Sequence, residues 1–471
     1  MKFSTLISIL LLCVPAEVFQ NTIAAESSNK SANERPTTLL RHQEVYPLPG
    51  ELDNVLLVND NNPELITEEG ILLSTFPSKN NSGLNQPLND RFDLFSHHVY
   101  AGKPDKLQST LWIALVAQPI GNTPVELELI GGSTSLSQAT ASGQTAAPFI
   151  PLPSLIAEQV SSVASGPGSK VAGDLLRGET AEELPKQWLL KTGSPTALIV
   201  LPLPVAGLDP LLNGRTLQLR MKSSGPIFLA TLASFGDLNS PPSIKRWIEL
   251  LNSEVISSKE HNPTPRGSSG KIIYSRVSGI QIGSTWNATI TDPGSKVLVA
   301  PNVITSWPIS SLERGTFGTN QIETAELKSY YQGTAWAAHG NYGVEYDISI
   351  PIINTSKTKT VFDLSLDSPI KTDKKSSGLR FRTTNTGPVV FRGPIEVSGL
   401  DGSGHHPQGK RRFHLVLRQG QRGTSLGKIS LAPGEQRRVN IRLIYPADAT
   451  PPQVLTLAPV KQSISQSSDN P

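Results

Sequence analysis

Apolar and polar residues take turns along much of this chain. In "VELELI", residues 125–130, Val125, Leu127 and Leu129 alternate with two glutamates. "TLQLRM" at 216–221 sets Leu217, Leu219 and Met221 against Thr216, Gln218 and Arg220. "FDLSL" at 362–366, "VNIRLIY" at 439–445 and "TWNATIT" around Trp286, Ala288 and Ile290 repeat the pattern. Neighbouring side chains on a strand point to opposite faces, so this period predicts strands with one buried and one wet face. Continuous apolar runs, "LWIALVA" at 111–117 and "ALIVLPLP" at 197–204, predict strands covered on both faces. "PGE" at 433–435 and "NTSKTKT" at 354–360 are turn signals between them. The predicted class is mainly β: two antiparallel β-sandwich-like domains with a few short helices.

The stretch "NYGVEYDISIPII" from Asn341 shows the same logic in a segment dense with polar groups. Tyr342, Val344, Tyr346, Ile348, Ile350 and Ile352 share one face; Asn341, Gly343, Glu345, Asp347 and Ser349 share the other. Pro351 has no N–H and is expected at an edge or strand end. Glu345 and Asp347 fall about 7 Å apart on the wet face. Such a pair can hold Ca²⁺ or act on a glycosidic bond, but a solvated strand face presents the same residues.

Helical spacing is rare. "SIKRWIELLN" has Ser243 as a cap and Ile244, Trp247, Ile248 and Leu251 at i, i+3, i+4, i+7. "SLIAEQVSSVAS" is a second candidate, stopped by "GPG" at 166–168. A Ser-, Pro- and Gly-rich loop follows the first helix. The expected layout is a signal peptide over 1–25, a flexible lead-in over 26–38 and a β-rich domain over 39–240. Helix and linker occupy 241–270, a β-sandwich domain 271–458 and a frayed tail 459–471.

Composition agrees with a turn-rich β protein: Gly and Pro number 38 each and charged residues make up only 17%. Lys2 followed by apolar Leu6 to Val14 reads as an export signal, too short to span a bilayer. Cleavage after Ala24 or Ala25 fits the small residues there, and an uncleaved anchor is the competing reading. Cys13 is the only cysteine and lies inside that signal, with Leu12 where lipoprotein processing wants a small side chain. The mature chain would then carry no thiol and no disulfide. Its expected place is the periplasm or outer cell envelope.

Charge is unevenly spread. Residues 370–442 hold 15 Lys and Arg against 4 Asp and Glu, while the rest of the chain from residue 26 holds 26 against 34. Arg380, Arg382, Lys410, Arg411, Arg412, Arg437, Arg438 and Arg442 are the candidate anion-binding residues. The arginine fork suits carboxylate, sulfate and phosphate. In an exported protein such groups belong to anionic polysaccharide or lipid headgroups rather than nucleic acid. These charges could equally solvate outer strand faces or dock on the acidic half.

Other motifs carry less. "GTSLG" around Ser425 matches a nucleophile elbow, but a strand is expected after it where a helix is required. "GHHPQGKR" at 404–411 lacks the Ser or Thr a phosphate loop needs. His97–His98 and His405–His406 are adjacent pairs; neighbours on a strand cannot readily share a metal, whereas a loop with Asp401 and His414 is freer. No catalytic residue, cofactor or metal is assigned.

"SLERGTFGT", "TAWAAHGNYGVEYDI" and "LIYPADATPPQVLTL", with "LFSHHVYAG" and "LIGGSTSLSQ" nearer the N-terminus, resemble a cyanobacterial family of exported proteins known only as a domain of unknown function. The resemblance implies an envelope location and a mainly β build, and supplies no site residues. The sequence therefore favours a non-catalytic envelope protein that binds or organises an anionic surface polymer. The alternatives are a carbohydrate-active enzyme using carboxylates such as Glu345 and Asp347, and a chaperone-like assembly partner offering an edge strand.

Overall fold

The computed structural model describes residues 37–102, 109–138, 149–151, 162–164, 166–270, 272–273, 275–402 and 409–460. The first strands are β1 (Thr38–His42), β2 (Glu44–Val45), β3 (Glu51–Leu52), β4 (Leu56–Leu65), β5 (Gly70–Ser74), β6 (Leu88–Ala101), β7 (Ser109–Pro119) and β8 (Val125–Leu136). Short strands β9 (Phe149–Pro151) and β10 (Ser162–Ala164) precede helix α1 (Pro167–Arg177), β11 (Gln187–Leu190), β12 (Thr196–Leu203), β13 (Leu212–Asp237) and helix α2 (Ile244–Asn252). Then come β14 (Val277–Ile282), β15 (Thr285–Thr289), β16 (Leu298–Val299), β17 (Thr305–Ile309), β18 (Leu327–Tyr330) and β19 (Glu345–Ile353). The last are β20 (Thr360–Asp367), β21 (Gly378–Arg382), β22 (Val389–Ser398), β23 (Arg411–Arg418), β24 (Gly427–Leu431), β25 (Gln436–Ile444) and β26 (Gln453–Pro459). No helix among the described residues is long and apolar enough to cross a membrane.

The protein is mainly β, as the alternation predicts. A ten-stranded sheet is organised around the 26-residue β13, which pairs with β5, β6, β7 and β8. A seven-stranded sheet runs β23-β22-β25-β19-β15-β3, with β16 also on β19. A five-stranded sheet runs β2-β17-β26-β20-β24. The seven- and five-stranded sheets form a sandwich. Its core joins Trp286, Tyr346, Ile348, Ile350, Val397, Val439 and Ile441 from one layer to Trp307, Phe362, Leu364, Ile429 and Leu455 from the other.

Three expectations are corrected. The sheets are mixed rather than wholly antiparallel: β4–β6, β15–β19, β16–β19 and β17–β2 are parallel pairs. Such pairs need long crossovers, and the chain between β15 and β19 provides one. Pro351 is not at an edge or strand end but inside β19, which is paired on both sides. On one side β15 leaves off opposite Ser349 and β16 begins opposite Ile352, so no partner there asks Pro351 for an N–H. The "GPG" read as a helix stop instead starts α1, with Pro167 at its first turn, where a missing N–H is harmless. Of the candidate helix before it, residues 154–161 and 165 lie outside the described residues and Ser162–Ala164 is strand β10. Helix α2 forms as expected: Ser243 Oγ accepts from the Arg246 N–H, and Trp247, Leu250 and Leu251 pack on β5, β7, β12 and β13.

Sheet membership crosses residues 241–270 in both directions. Strands β14 and β18 join the ten-stranded sheet through β4, while β1, β2 and β3 pair with β21, β17 and β15. The large sheets meet where β13 approaches β19. Gln218 Nε2 donates to the Gly343 carbonyl at 2.7 Å, and Phe95 stacks on Tyr342. Gly343 has φ +79°, and a Cβ there would lie 2.7 Å from the Phe95 ring. Helix α1 bridges the same junction, burying Val171, Ala172, Leu175 and Leu176 with Ile444 of β25.

The α1 contact makes a prediction. A Cβ on Gly168 would sit 2.5 Å from the Ala447 amide nitrogen and 2.8 Å from its Cβ. Alanine gains about 1 kcal/mol of helix propensity over glycine, but pushing backbone against backbone costs about 1–3 kcal/mol. Gly168→Ala is therefore expected to lower the denaturant midpoint. A raised midpoint would show that α1 is not held against the 446–448 turn.

Candidate functional site

Strand register gathers the charges. On the outer face of the seven-stranded sheet, Arg412 of β23 lies opposite Glu396 of β22, and Glu396 opposite Arg442 of β25. Arg442 lies opposite Asp347 of β19, Asp347 opposite Asn287 of β15, and Asn287 opposite Glu51 of β3. One row thus crosses six strands with alternating sign over its first four. The next row reads Ser398, Asn440, Ser349, Thr289. Both rows exist because the opposite face of each strand carries the sandwich core, which fixes register.

The ion pairs follow the row. Arg442 Nε and Nη2 reach Glu345 Oε1 at 2.7 and 2.5 Å, and its Nη1 lies 3.3 Å from Glu396 Oε1. Glu396 also takes Arg412 Nε at 2.8 Å and Lys410 Nζ at 2.9 Å. From the other sheet, Arg220 Nη2 reaches Glu345 Oε2 at 2.6 Å. Arg220 also acts on Asp93, which pairs with Arg91. Burial lowers the guanidinium pKa of Arg442, but Glu345 and Glu396 outweigh it and raise the value. Asp347 goes up: burial comes first, then the like charge of Glu345.

The eight candidate cations separate into groups. Lys410, Arg412 and Arg442 converge on this face, and Arg438 lies on it one register step beyond Asn440, donating to Ser349 Oγ at 2.9 Å. Arg411 points the other way, against Gly427. Arg437 is buried between Asp401, Glu435 and the Ser430 carbonyl. Arg380 and Arg382 stand on the two-stranded β1–β21 ribbon, where Leu379 and Phe381 face inward and Arg382 donates to Gln419.

The face of β19 also differs in part from expectation. Tyr346, Ile348, Ile350 and Ile352 are in the core as predicted, and Asp347 is exposed. Glu345 is not solvated: it is 6% exposed beneath two arginines. Its Oε1 takes two N–H groups of Arg442 and its Oε2 one of Arg220, so guanidinium donors fill most of the carboxylate's acceptor sites.

Sequence reasoning missed Arg220, Glu396, Ser398 and Asn440. Each was visible only as a polar position in an alternating strand, and its partner lay in a strand of unknown register. Asp347, Glu396, Ser398, Lys410, Asn440 and Arg442 line an open depression of about 330 Å³. A second, of about 320 Å³, lies between α2 and the Ser74–Ser82 stretch, with Phe76, Gln118, Leu251 and Glu254 among its walls.

Ser425 donates to Asp363, and a strand, β24, follows it. His98 pairs with buried Asp60 at 2.8 Å, while His97 contacts Thr216 across the strand. His405 and His406 lie outside the described residues. Among the described residues no three His, Cys, Asp or Glu side chains are grouped so as to hold a metal ion. A search of curated proteins finds none that matches the chain. Residues 43–459 match the family model of a protein of unknown function, DUF3370, and the chain belongs to that family.

Proposed function

We propose that the protein is an exported, non-catalytic component of the cell envelope that binds an anionic surface polymer, a polysaccharide above all, across the outer face of the seven-stranded sheet. The carrying observation is the end of the charged row. Lys410 and Arg412 share a single carboxylate, Glu396, and their side chains are 52% and 40% exposed. Arg438 extends the same face, exposed and donating to the Ser349 hydroxyl. Cations in excess over carboxylates on an accessible sheet face attract polyanions. Lys2, the short apolar run and the small residues at 24–25 support export.

The mature chain is expected to bind heparin, taken as a generic acidic glycan, with affinity that falls as salt rises from about 0.05 to 0.5 M. Arg412→Gln with Arg438→Gln should weaken binding roughly tenfold, the sum of two exposed charge contacts. Binding that ignores salt, or no binding to heparin or to isolated envelope polysaccharide, overturns the reading.

A further inference from the structure

We propose that the depression beside the charged row seats a free ammonium group of the bound polymer against Asp347, so that the ligand is an acidic glycan containing unacylated amino sugars. This rests on the polymer-binding reading and narrows its ligand class.

The argument starts from how unequally three neighbouring carboxylates are compensated. Glu345 is held by Arg220 and Arg442. Glu396 is held by Lys410, Arg412 and Arg442. Asp347 has no ion pair or hydrogen bond to its carboxylate among the described residues, though it stands directly opposite Arg442 in the sheet. Arg442 has turned its donors to the two glutamates. Asp347 is left exposed, with Glu345 two residues away on its own strand face and Glu396 across the depression. An anion flanked by anions is stabilised by a cation from outside. Burial first, then the like charges of Glu345 and Glu396, raise its pKa against the pull of Arg442.

The walls say what carries that cation. Ser398 and Asn440 line the depression, and Ser349 and Thr289 continue their row past Asp347. Hydroxyl and amide groups match sugar hydroxyls. None of the six lining residues is aromatic, so ring stacking does not select the ligand; ions and hydrogen bonds do. On the far rim Lys410 and Arg412 offer positive charge. Arg412 stands three strands from Asp347, about 14 Å by strand spacing, which suits opposite charges on different units of one polymer rather than on one small molecule. A simple polyanion would use only the cationic rim and leave Asp347 repelling it.

The test uses the full mature chain and two forms of one polymer: N-desulfated heparin, whose glucosamines carry free amines, and the same material re-N-acetylated. The free-amine form is expected to bind about tenfold more tightly, the scale of one partly desolvated ion pair. Asp347→Asn, isosteric at an exposed position, should bring the two forms to equal affinity without lowering the denaturation midpoint. Arg412→Gln with Arg438→Gln should weaken both forms and keep their ratio. Equal binding of both forms by the unaltered protein, still weakened by the arginine changes, overturns the amine seat and leaves polymer binding standing. Binding of neither form overturns both.

Discussion

Acidification from pH 6.5 to 4 is expected to remove on the order of 5 kcal/mol of folding stability. Three partly buried histidines set the window. Burial, joined at His97 by the charge of His98 and at His414 by that of Arg392, lowers the pKa of each ring from 6.5 to about 4. At His339 burial does the same against the opposing carbonyl of Ser275. In the unfolded chain each ring takes its proton near pH 6.5. Between there and 4 the unfolded state binds more protons, so the stability these rings contribute is intact above 6.5 and lost as pH falls through 4.

Glu323 works in the opposite sense. Burial pushes it up to about 7, against hydrogen bonds from Tyr346 and the Ser310 and Ser311 groups. Its folded value exceeds its unfolded one, so its contribution is complete below pH 4.5 and lost as pH rises through 7. One such acid offsets one histidine, and two remain. Urea midpoints taken stepwise across the window should show the decline. His414 offers the sharpest variant, because neither ring nitrogen has a hydrogen-bond partner among the described residues. His414→Phe should flatten the slope by about 1.4 kcal/mol per pH unit. A level profile between 6.5 and 4 in the unaltered protein would mean that these rings are open to water.

Local patterns were legible in the sequence and long-range pairings were not. The period-two runs at 125–130, 216–221, 362–366 and 439–444 all lie in strands, because each has one face in a core, and burial writes itself into composition at that spacing. Helix α2 was legible from a capping serine and an apolar stripe. Helix α1 was not: Pro167 and Gly168 stop a helix or start one, and the surface that buries its apolar face, with Ile444 of β25, lies far along the chain where no local signal points. The same holds for sheet membership. Nothing in "TLLRH" or "VSGIQI" says that β1 joins β21 or that β14 joins β4.

The candidate site shows this division most plainly. The basic excess of residues 370–442 was countable, and "VNIRLIY" was readable as a strand that carries Arg442. Which carboxylates meet those cations depends on the registers of three strand pairs, each free to slip in the absence of its neighbours. Glu345 looked like a solvated side chain because Arg220, its second partner, is 125 residues away on another sheet. Asp347 looked like its twin; Arg442 lies opposite Asp347 in the sheet but turns to Glu345 and Glu396, and that side-chain direction, which no sequence pattern carries, clamps one and leaves the other open.

Glu345→Ala is expected to destabilise the protein by about 2–4 kcal/mol, well above the 0–1 kcal/mol of a surface ion pair. The side chain is 8% exposed and takes a guanidinium on each oxygen, with Arg220 21% and Arg442 30% exposed. Removing it leaves two arginines partly desolvated. Arg442 retains Glu396 and Arg220 retains the field of Asp93, which holds the loss below that of a wholly sealed pair. Because Arg220 belongs to the ten-stranded sheet and Glu345 to the seven-stranded one, the loss should be felt in their association. A cycle combining Arg220→Ala with Glu345→Ala should return a coupling above about 1 kcal/mol, as for side chains that share one network. Additive effects would mean that α1, the Gln218–Gly343 hydrogen bond and the Phe95–Tyr342 stack join the two sheets, with the charged row lying over the junction but not tying it together.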